Sequence, residues 1–291
     1  MEDALTALGH PISYSTVYHA VQAAAERVSG LKRETLAEGV RTAAMGADIT
    51  GVHVKGQWVS LGVTVDDVTG MVLTVDPITS QTGESLAEWL APIAEQLGAE
   101  LVVTDDADNF TQAVTKLALP QQVCKAHVVR NTEAVIEELL AQVDGDGSLS
   151  ACGVSPAQAR EDLHQLRILI HHRQPEDESL VRVMHARYRQ AASPREGEKS
   201  SLAYRLRLLF LDRWNLWPRL TRYRTWKGSQ GETIDGTNNG CERPIGWSIK
   251  ERYRSMRGYQ RLQSALNISR LLVYIRNARL TSGAELGLLV A

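Results

Sequence analysis

The chain has 291 residues, 43% of them hydrophobic and 23% charged, the composition of an ordinary globular protein with room for one large domain or two modest ones. No apolar run approaches the roughly 20 residues a membrane helix needs, Met1-Glu2-Asp3-Ala4-Leu5 lacks the basic start of a secretory signal, and three scattered cysteines (Cys124, Cys152, Cys241) make no disulfide framework, so a membrane partner is excluded and a reducing cytosol expected. The net charge of −2 hides an imbalance, because residues 1–150 carry 8 Lys and Arg against 21 Asp and Glu, while residues 151–291 carry 24 against 13, which fits either a basic face that holds a polyanion beside acids that bind metal or two solvated surfaces that pair with each other.

Residues 1–45 read as helical and amphipathic. The stretch from Ser13 to Tyr18 leads into Ala20–Glu26, with Ser15 or Thr16 as the N-cap. It has the look of the remnant of a helix-turn-helix module, too short to contain a whole one. From Ala47 the period changes to two. Residues 48–54 alternate, Lys55-Gly56-Gln57 turns, residues 58–65 return, Asp66–Gly70 turns again, and residues 71–75 make a third strand. Thr82 or Ser85 starts a helix over residues 86–97 that Gly98 ends, with Pro92 bending it or marking a late start. Leu101, Val102 and Val103 form a fourth strand buried on both faces, which puts Asp105 at its carboxyl end, where open α/β sheets place their chemistry. A helix over 107–117, a short fifth strand over 122–126 and a helix from about His127 to Val143 follow.

Three antiparallel strands followed by β-α-β-α is the order of a ribonuclease-H-like domain, so the expected fold class is α/β with a mixed sheet. Residues 144–150 read as a flexible break. Residues 155–227 read as helices, with a turn over 192–197, and carry Arg160, Arg167, Arg173, Arg182, Arg187 and Arg189. Lys227–Gly236 is a Gly-rich loop, and two helices, about 238–256 and 260–280, close the chain. The expected division is therefore a helical segment 1–45, a first catalytic part 46–150, a helical insertion 151–236, and C-terminal helices 237–291 that complete the catalytic domain.

Three acids stand out by position. Asp48 begins the first strand and shares a face with Thr50, Val52 and Val54, where an acid is costly unless it is paired, bound to metal or capping a turn. Asp105 is fixed by its strand end, which makes it the metal ligand and leaves Asp106 as the N-cap of the next helix. Glu242 follows Thr237-Asn238-Asn239 near a helix start, as a ligand or as a complement to the helix dipole. Two Mg²⁺ or Mn²⁺ ions held about 4 Å apart by such carboxylates activate a water or a 3′-hydroxyl and stabilise the leaving oxygen. Cys124-x-x-His127 has no second pair to complete a zinc site, so Cys124 is expected in the core and His127 at a helix start near the site. Arg243, Lys250, Arg252, Arg254 and Arg257 spread over more than one face of the Glu242 helix, where some reach phosphates. Trp226, beside the Gly-rich loop, is the leading candidate to stack on an unpaired base, ahead of Trp214 and Trp217.

Taken together, Asp48-x-Thr-x-Val-x-Val-Lys-Gly56 with Trp58, then Val102-Val-Thr-Asp105, Cys124-x-x-His127 with Arg130-Asn131, and Thr237-Asn-Asn-x-x-Glu-Arg243 resemble the DDE transposases, in particular the Mutator-like elements and related bacterial insertion-sequence transposases. The resemblance spans roughly residues 46–278. It implies a ribonuclease-H-like catalytic domain with a helical insertion between the second acid and the last, and metal-dependent DNA cleavage and strand transfer at transposon ends. In that scheme Asp48, Asp105 and Glu242 hold two Mg²⁺ (or Mn²⁺) ions, and Cys124, His127, Asn238, Asn239 and Arg243 support them. The implied partners are transposon-end and target DNA and a second copy of the chain, in a bacterial cytoplasm at the nucleoid. The sequence departs from the pattern twice: the opening module is incomplete, as in a truncated copy, and Lys250 lies eight residues after Glu242, where such families often carry a base seven after and this chain has Ile249. The rival expectations are a nuclease of the same fold without strand transfer, and an inactive or domesticated DNA-binding derivative.

Overall fold

The computed structural model describes residues 13–30, 41–145, 147–256 and 258–280. The fold is α/β with a five-strand mixed sheet. Its strands are β1 (Ala44–Val54), β2 (Gln57–Asp66), β3 (Val72–Ile78), β4 (Leu101–Thr104) and β5 (Gln121–Val123), in the order β3-β2-β1-β4-β5. The chain divides into two compact units, one made of Met1–Thr104, Asp108–Leu119 and Asn238–Ala291, the other of Asp105–Ala107 and Pro120–Thr237.

In the first unit, β1 and β2 form an antiparallel hairpin from Met45↔Asp66 to Val54↔Gln57. Its two-residue turn holds Lys55 at φ 50° and Gly56 at φ 77°, both left-handed, as a tight hairpin whose twist matches its strands requires. β3 pairs antiparallel to β2, and β4 pairs parallel to β1 from Ala44↔Leu101 to Gly46↔Val103. β1 begins at Ala44, earlier than the period-two pattern indicates, because Ala44 through Ala47 are all buried and give no alternation to read. Asp48 therefore sits inside the strand rather than at its start.

Helix α1 (Tyr14–Gly30) is capped by Ser13, whose Oγ accepts from the Thr16 N–H at 3.1 Å, which corrects the assignment to Ser15 or Thr16. The rest of the expected helix-turn-helix remnant, 1–12 and 31–40, lies outside the described residues. Helix α2 (Gly83–Leu97) has Thr82 as N-cap and Gly98 as left-handed C-cap and runs through Pro92, which does not mark a late start. Helix α3 (Asp108–Lys116) follows β4. The unit's core joins Val52, Leu61, Val63 and Val75 of the hairpin and β3 to Cys241, Ile245, Ile249, Ala265 and Leu266 of the C-terminal helices. The closing helix (Leu262–Leu280) is tied to β3 by Asn277, which bonds both the N–H and the C=O of Val72 at 3.1 and 2.7 Å.

The second unit is mainly helical: α4 (Lys125–Leu140), α5 (Pro156–His172), α6 (Glu178–Arg187) and α7 (Leu202–Thr221). They close on a core containing Ile136, Leu139, Leu163, Phe210 and Trp217, each large side chain contributing about 1.5–3 kcal/mol by burial. The stretch read as a flexible break holds a short 3₁₀ turn, Gly147–Cys152, whose Leu149 is buried in that core. Trp217 donates to the Gln174 carbonyl at 2.9 Å and Trp214 to Glu178 at 3.0 Å, so both serve packing.

The arginines of this unit are largely engaged within it. Arg160 pairs with Asp144, Arg167 with Glu137, Arg187 with the fully buried Asp162, and Arg205 with Glu138, while Arg173 donates to the Ile170 carbonyl. Counted by unit instead of by sequence half, the second unit carries 17 Lys and Arg against 17 Asp and Glu, and the first 15 against 17. The imbalance between the halves is thus an effect of dividing the sequence at residue 150. The positive excess that survives lies in residues 238–280, with nine Lys and Arg against Glu242 and Glu251. Among the described residues, no helix is long and apolar enough to cross a membrane.

Candidate active site

The first unit builds its site where a run of helical turns lies on β1 and β2. Helix α8 (Asn239–Pro244) passes into a π-helical turn (Ile245–Lys250) and then into α9 (Glu251–Met256). Asn238, fully buried, donates from Nδ2 to the Ala47 carbonyl at 3.3 Å and so ties the start of α8 to the residue before Asp48. Two glycines allow the close approach. A Cβ on Gly46 would stand 2.7 Å from Val65 Cγ2 and 3.2 Å from Cys241 Sγ, and one on Gly240 would stand 2.9 Å from Asp67 Oδ1.

This approach buries Cys241 and brings acids around it. Burial pushes its thiol well above the ordinary range, and the negative charges of Asp48, Asp67 and Glu242 push it further in the same direction. Three carboxylates from three segments therefore lie near one protonated sulfur. Asp48 and Glu242, 194 positions apart in sequence, both act on this one thiol. Both are half-buried, and Asp48 Oδ1 accepts from the Ile49 N–H at 2.7 Å. Asp67 escaped the sequence reading because Asp66-Asp67-Val-Thr-Gly70 has the composition of a surface turn. Asp66 does act there as a turn residue, accepting from Thr42, Val68 and Thr69. A signal was present in Gly240, whose missing side chain leaves room for the Asp67 carboxylate.

Carboxylate oxygens are the donors that suit a hard divalent cation such as Mg²⁺ or Mn²⁺.

Asp105, Cys124, His127 and Trp226 lie in the second unit. Asp105, directly after β4, accepts from the Ala107 N–H at 3.1 Å. Asp106 is not the helix cap expected of it: both its oxygens take the Asn131 amide, at 3.2 and 3.1 Å. Asn131, predicted as part of a motif with Arg130, thereby acquires a definite role in holding Asp106. Cys124 is buried as the N-cap residue of α4 without a capping side-chain bond, and His127 is half-buried in the helix's first turn. The Gly-rich loop is anchored by Lys125, whose N–H donates to the Gly236 carbonyl at 2.9 Å and whose ammonium donates to the Asp235 carbonyl and lies 4.7 Å from the Tyr223 ring centre. Trp226 is half-buried beside that loop.

Of the predicted phosphate-binding residues, Arg243, Lys250 and Arg254 are exposed along the α8–α9 run, Arg252 lies on α9, and Arg257 falls outside the described residues. The exposed tryptophan of this run is Trp247, 74% accessible, which sequence reading passed over because it sits in an apolar stretch, Pro244–Ile249, that reads as core.

No family model matches the chain, and no curated protein matches it. Among solved structures, the chain is similar to the catalytic core domain of HTLV-2 integrase in complex with magnesium, in a trimeric and a dimeric form. Identity is 21% in both, the match covers 36% of this chain and 72% or 73% of the other, and the TM-scores are 0.25 and 0.24.

Proposed function

We propose that this protein is a DDE-type transposase, cutting DNA at transposon ends and transferring the freed 3′-hydroxyl to target DNA, with Asp48, Asp105 and Glu242 as the metal-holding acids. The observation that carries the proposal is the docking of the start of α8 on β1, where Asn238, four residues before Glu242, donates to the carbonyl of Ala47, the residue before Asp48, and Cys241 packs against Gly46. The strand register supports Asp105 as the third acid: β1 and β4 run parallel with Gly46 opposite Val103, and each lies two residues before its acid, Asp48 and Asp105. When bound, two Mg²⁺ ions would supply an activated water or hydroxyl and charge stabilisation for the leaving oxygen.

The chain's own residues do the positioning. Asn238 fixes the start of α8 to β1, the glycines at 46 and 240 bring Glu242 and Asp67 over the sheet, and Arg243, Lys250 and Arg254 present charge to the phosphates. DNA is the partner, and a second copy of the chain, acting at the other transposon end, is part of the proposal.

Mg²⁺-dependent cleavage of candidate end DNA by the wild type, Asp48→Asn, Asp105→Asn and Glu242→Gln tests it. Each substitution should lower cleavage by at least about 100-fold, on the scale of losing charge stabilisation of a transition state. Equal activity in wild type and Asp105→Asn would overturn the proposal. Cleavage without joining of a pre-cut end to a target plasmid would leave a nuclease of the same chemistry.

A further inference from the structure

The helical run that carries Glu242 has a second feature. Asn239, Glu242, Arg243, Gly246, Trp247, Glu251 and Arg254 line an open groove of about 380 Å³ on its outer face. The π-helical turn shapes it: Ile245, Ser248 and Ile249 are buried toward the sheet, while Gly246 and Trp247 face outward. Gly246 leaves the groove floor open, since nothing lies within 4 Å of where its Cβ would be. Trp247 is 74% accessible and presents its indole to the groove. Arg243 and Arg254 are exposed on the same groove, and among the described residues no hydrogen bond or ion pair occupies either guanidinium.

We propose that this groove takes one unpaired nucleobase of a DNA strand, stacked on the Trp247 indole, with the flanking phosphates held by Arg243 and Arg254. Every base offers a π-face to an indole, so the contact tolerates sequence. Charge sets the orientation. Glu242 and Glu251 lie in the groove wall and repel a phosphate from its centre, whereas Arg243 and Arg254 draw the backbone to the rim, and the nine Lys and Arg of residues 238–280 outnumber these two acids. A base seated there lies beside Glu242, so Trp247 would be a positioning residue that holds an unpaired strand next to the metal-holding acid. This deepens the proposed function and rests on it only for the meaning of the neighbouring acid, not for the stacking.

The test is a single-stranded oligonucleotide carrying 2-aminopurine, whose fluorescence is quenched on stacking, titrated with the full chain without divalent metal. Wild type should bind and quench. Trp247→Ala should lose the quench and about 10-fold in affinity, within the range of one stacked base, and Trp247→Phe should retain most of both. A blunt duplex should bind without dependence on residue 247. Because the side chain is exposed, Trp247→Ala should melt at the wild-type temperature. Wild-type quenching by Trp247→Ala, or no binding of single strand by wild type, as when the groove serves a protein partner, would overturn the inference. Asp48→Asn, run in parallel, separates the two readings: it should quench normally and fail to cleave. If it cleaves like wild type while Trp247→Ala loses the quench, the catalytic proposal fails and the stacking site stands.

Discussion

Gly46 is the position where one methyl group should report on the whole site. It pairs with Val65 across the β1–β2 ladder, and a Cβ there would stand 2.7 Å from Val65 Cγ2, closer than real side chains approach, and 3.2 Å from Cys241 Sγ. Val65 is fully buried and β-branched, so it cannot swing aside, and the relief must come from the strand or from α8. Overpacking of this kind costs about 1–3 kcal/mol. For a body of this size that is a fall in melting temperature of roughly 2–10 °C. Because α8 carries Glu242, a shift of the helix should also reduce cleavage by far more than the loss of folded protein, since misplacement by about 1 Å costs about 100-fold in well-positioned sites. The assay is a double-mutant cycle: thermal unfolding and Mg²⁺-dependent cleavage for Gly46→Ala, Val65→Ala and the pair. Removing the valine methyls makes room for the new one, so the pair should be more stable than the sum of the single changes by at least 0.5 kcal/mol, the lower end for residues in contact. Strict additivity, or a Gly46→Ala protein as stable as wild type, would refute the close-approach account of the site.

Asp162→Ala should destabilise the second unit by about 3 kcal/mol, the lower part of the range for breaking a buried pair because Arg187 is partly exposed. Its carboxylate also accepts from Tyr188 at 2.9 Å and Gln158 at 3.0 Å, so Asp162→Asn should cost less, and a loss under 1 kcal/mol in Asp162→Ala on chemical denaturation would contradict the assignment. Burial and then the Asp162 carboxylate push the Tyr188 phenol above its ordinary value. A raised acid group gives stability that is complete below the unfolded value, about 10 for tyrosine, and is lost as pH rises through the folded one. Melting temperature should therefore fall above about pH 10, and less steeply in Tyr188→Phe; parallel curves would exclude the phenol as the cause.

What the sequence made legible follows from how much each signal depends on neighbours along the chain. The hairpin announced itself by alternation and by Lys55-Gly56, and α2 by Thr82 and Gly98, because turns and caps are local chemistry. The start of β1 did not, since Ala44–Ala47 are buried without alternating, and so Asp48 was placed at the strand's edge instead of inside it. Asp106 could not be separated from a cap without Asn131, and Ser13 could not be ranked above Ser15 without the helix's first turn. Among the candidate site residues, Asp48 and Glu242 stood out in the sequence as acids in otherwise apolar or helical surroundings. Asp67 and Trp247 were not, because a turn acid and a tryptophan within an apolar run each look ordinary until the fold shows what faces them.

Charge was the sequence signal that the fold changed most, and it yields a prediction of its own. The basic second half suggested that the arginines of residues 151–236 bind phosphates, yet Arg160, Arg167, Arg187 and Arg205 pair with acids of their own unit, which balances at 17 against 17. A cation already paired adds little to counterion release, whereas Arg243, Lys250 and Arg254 stand exposed in a stretch with nine cations and two acids. Each phosphate contact contributes about 0.7 to the slope of log affinity against log salt on single-stranded DNA and about 0.9 on duplex. Arg243→Gln, Lys250→Gln and Arg254→Gln should therefore each flatten the slope by about that amount, with melting temperature unchanged. Arg167→Gln and Arg205→Gln should do the reverse, lowering the melting temperature slightly, as partly exposed ion pairs do, and leaving the slope alone. If the second pair flattens the slope and the first three do not, the nucleic-acid surface lies on the helical unit and the α8–α9 run is only structural.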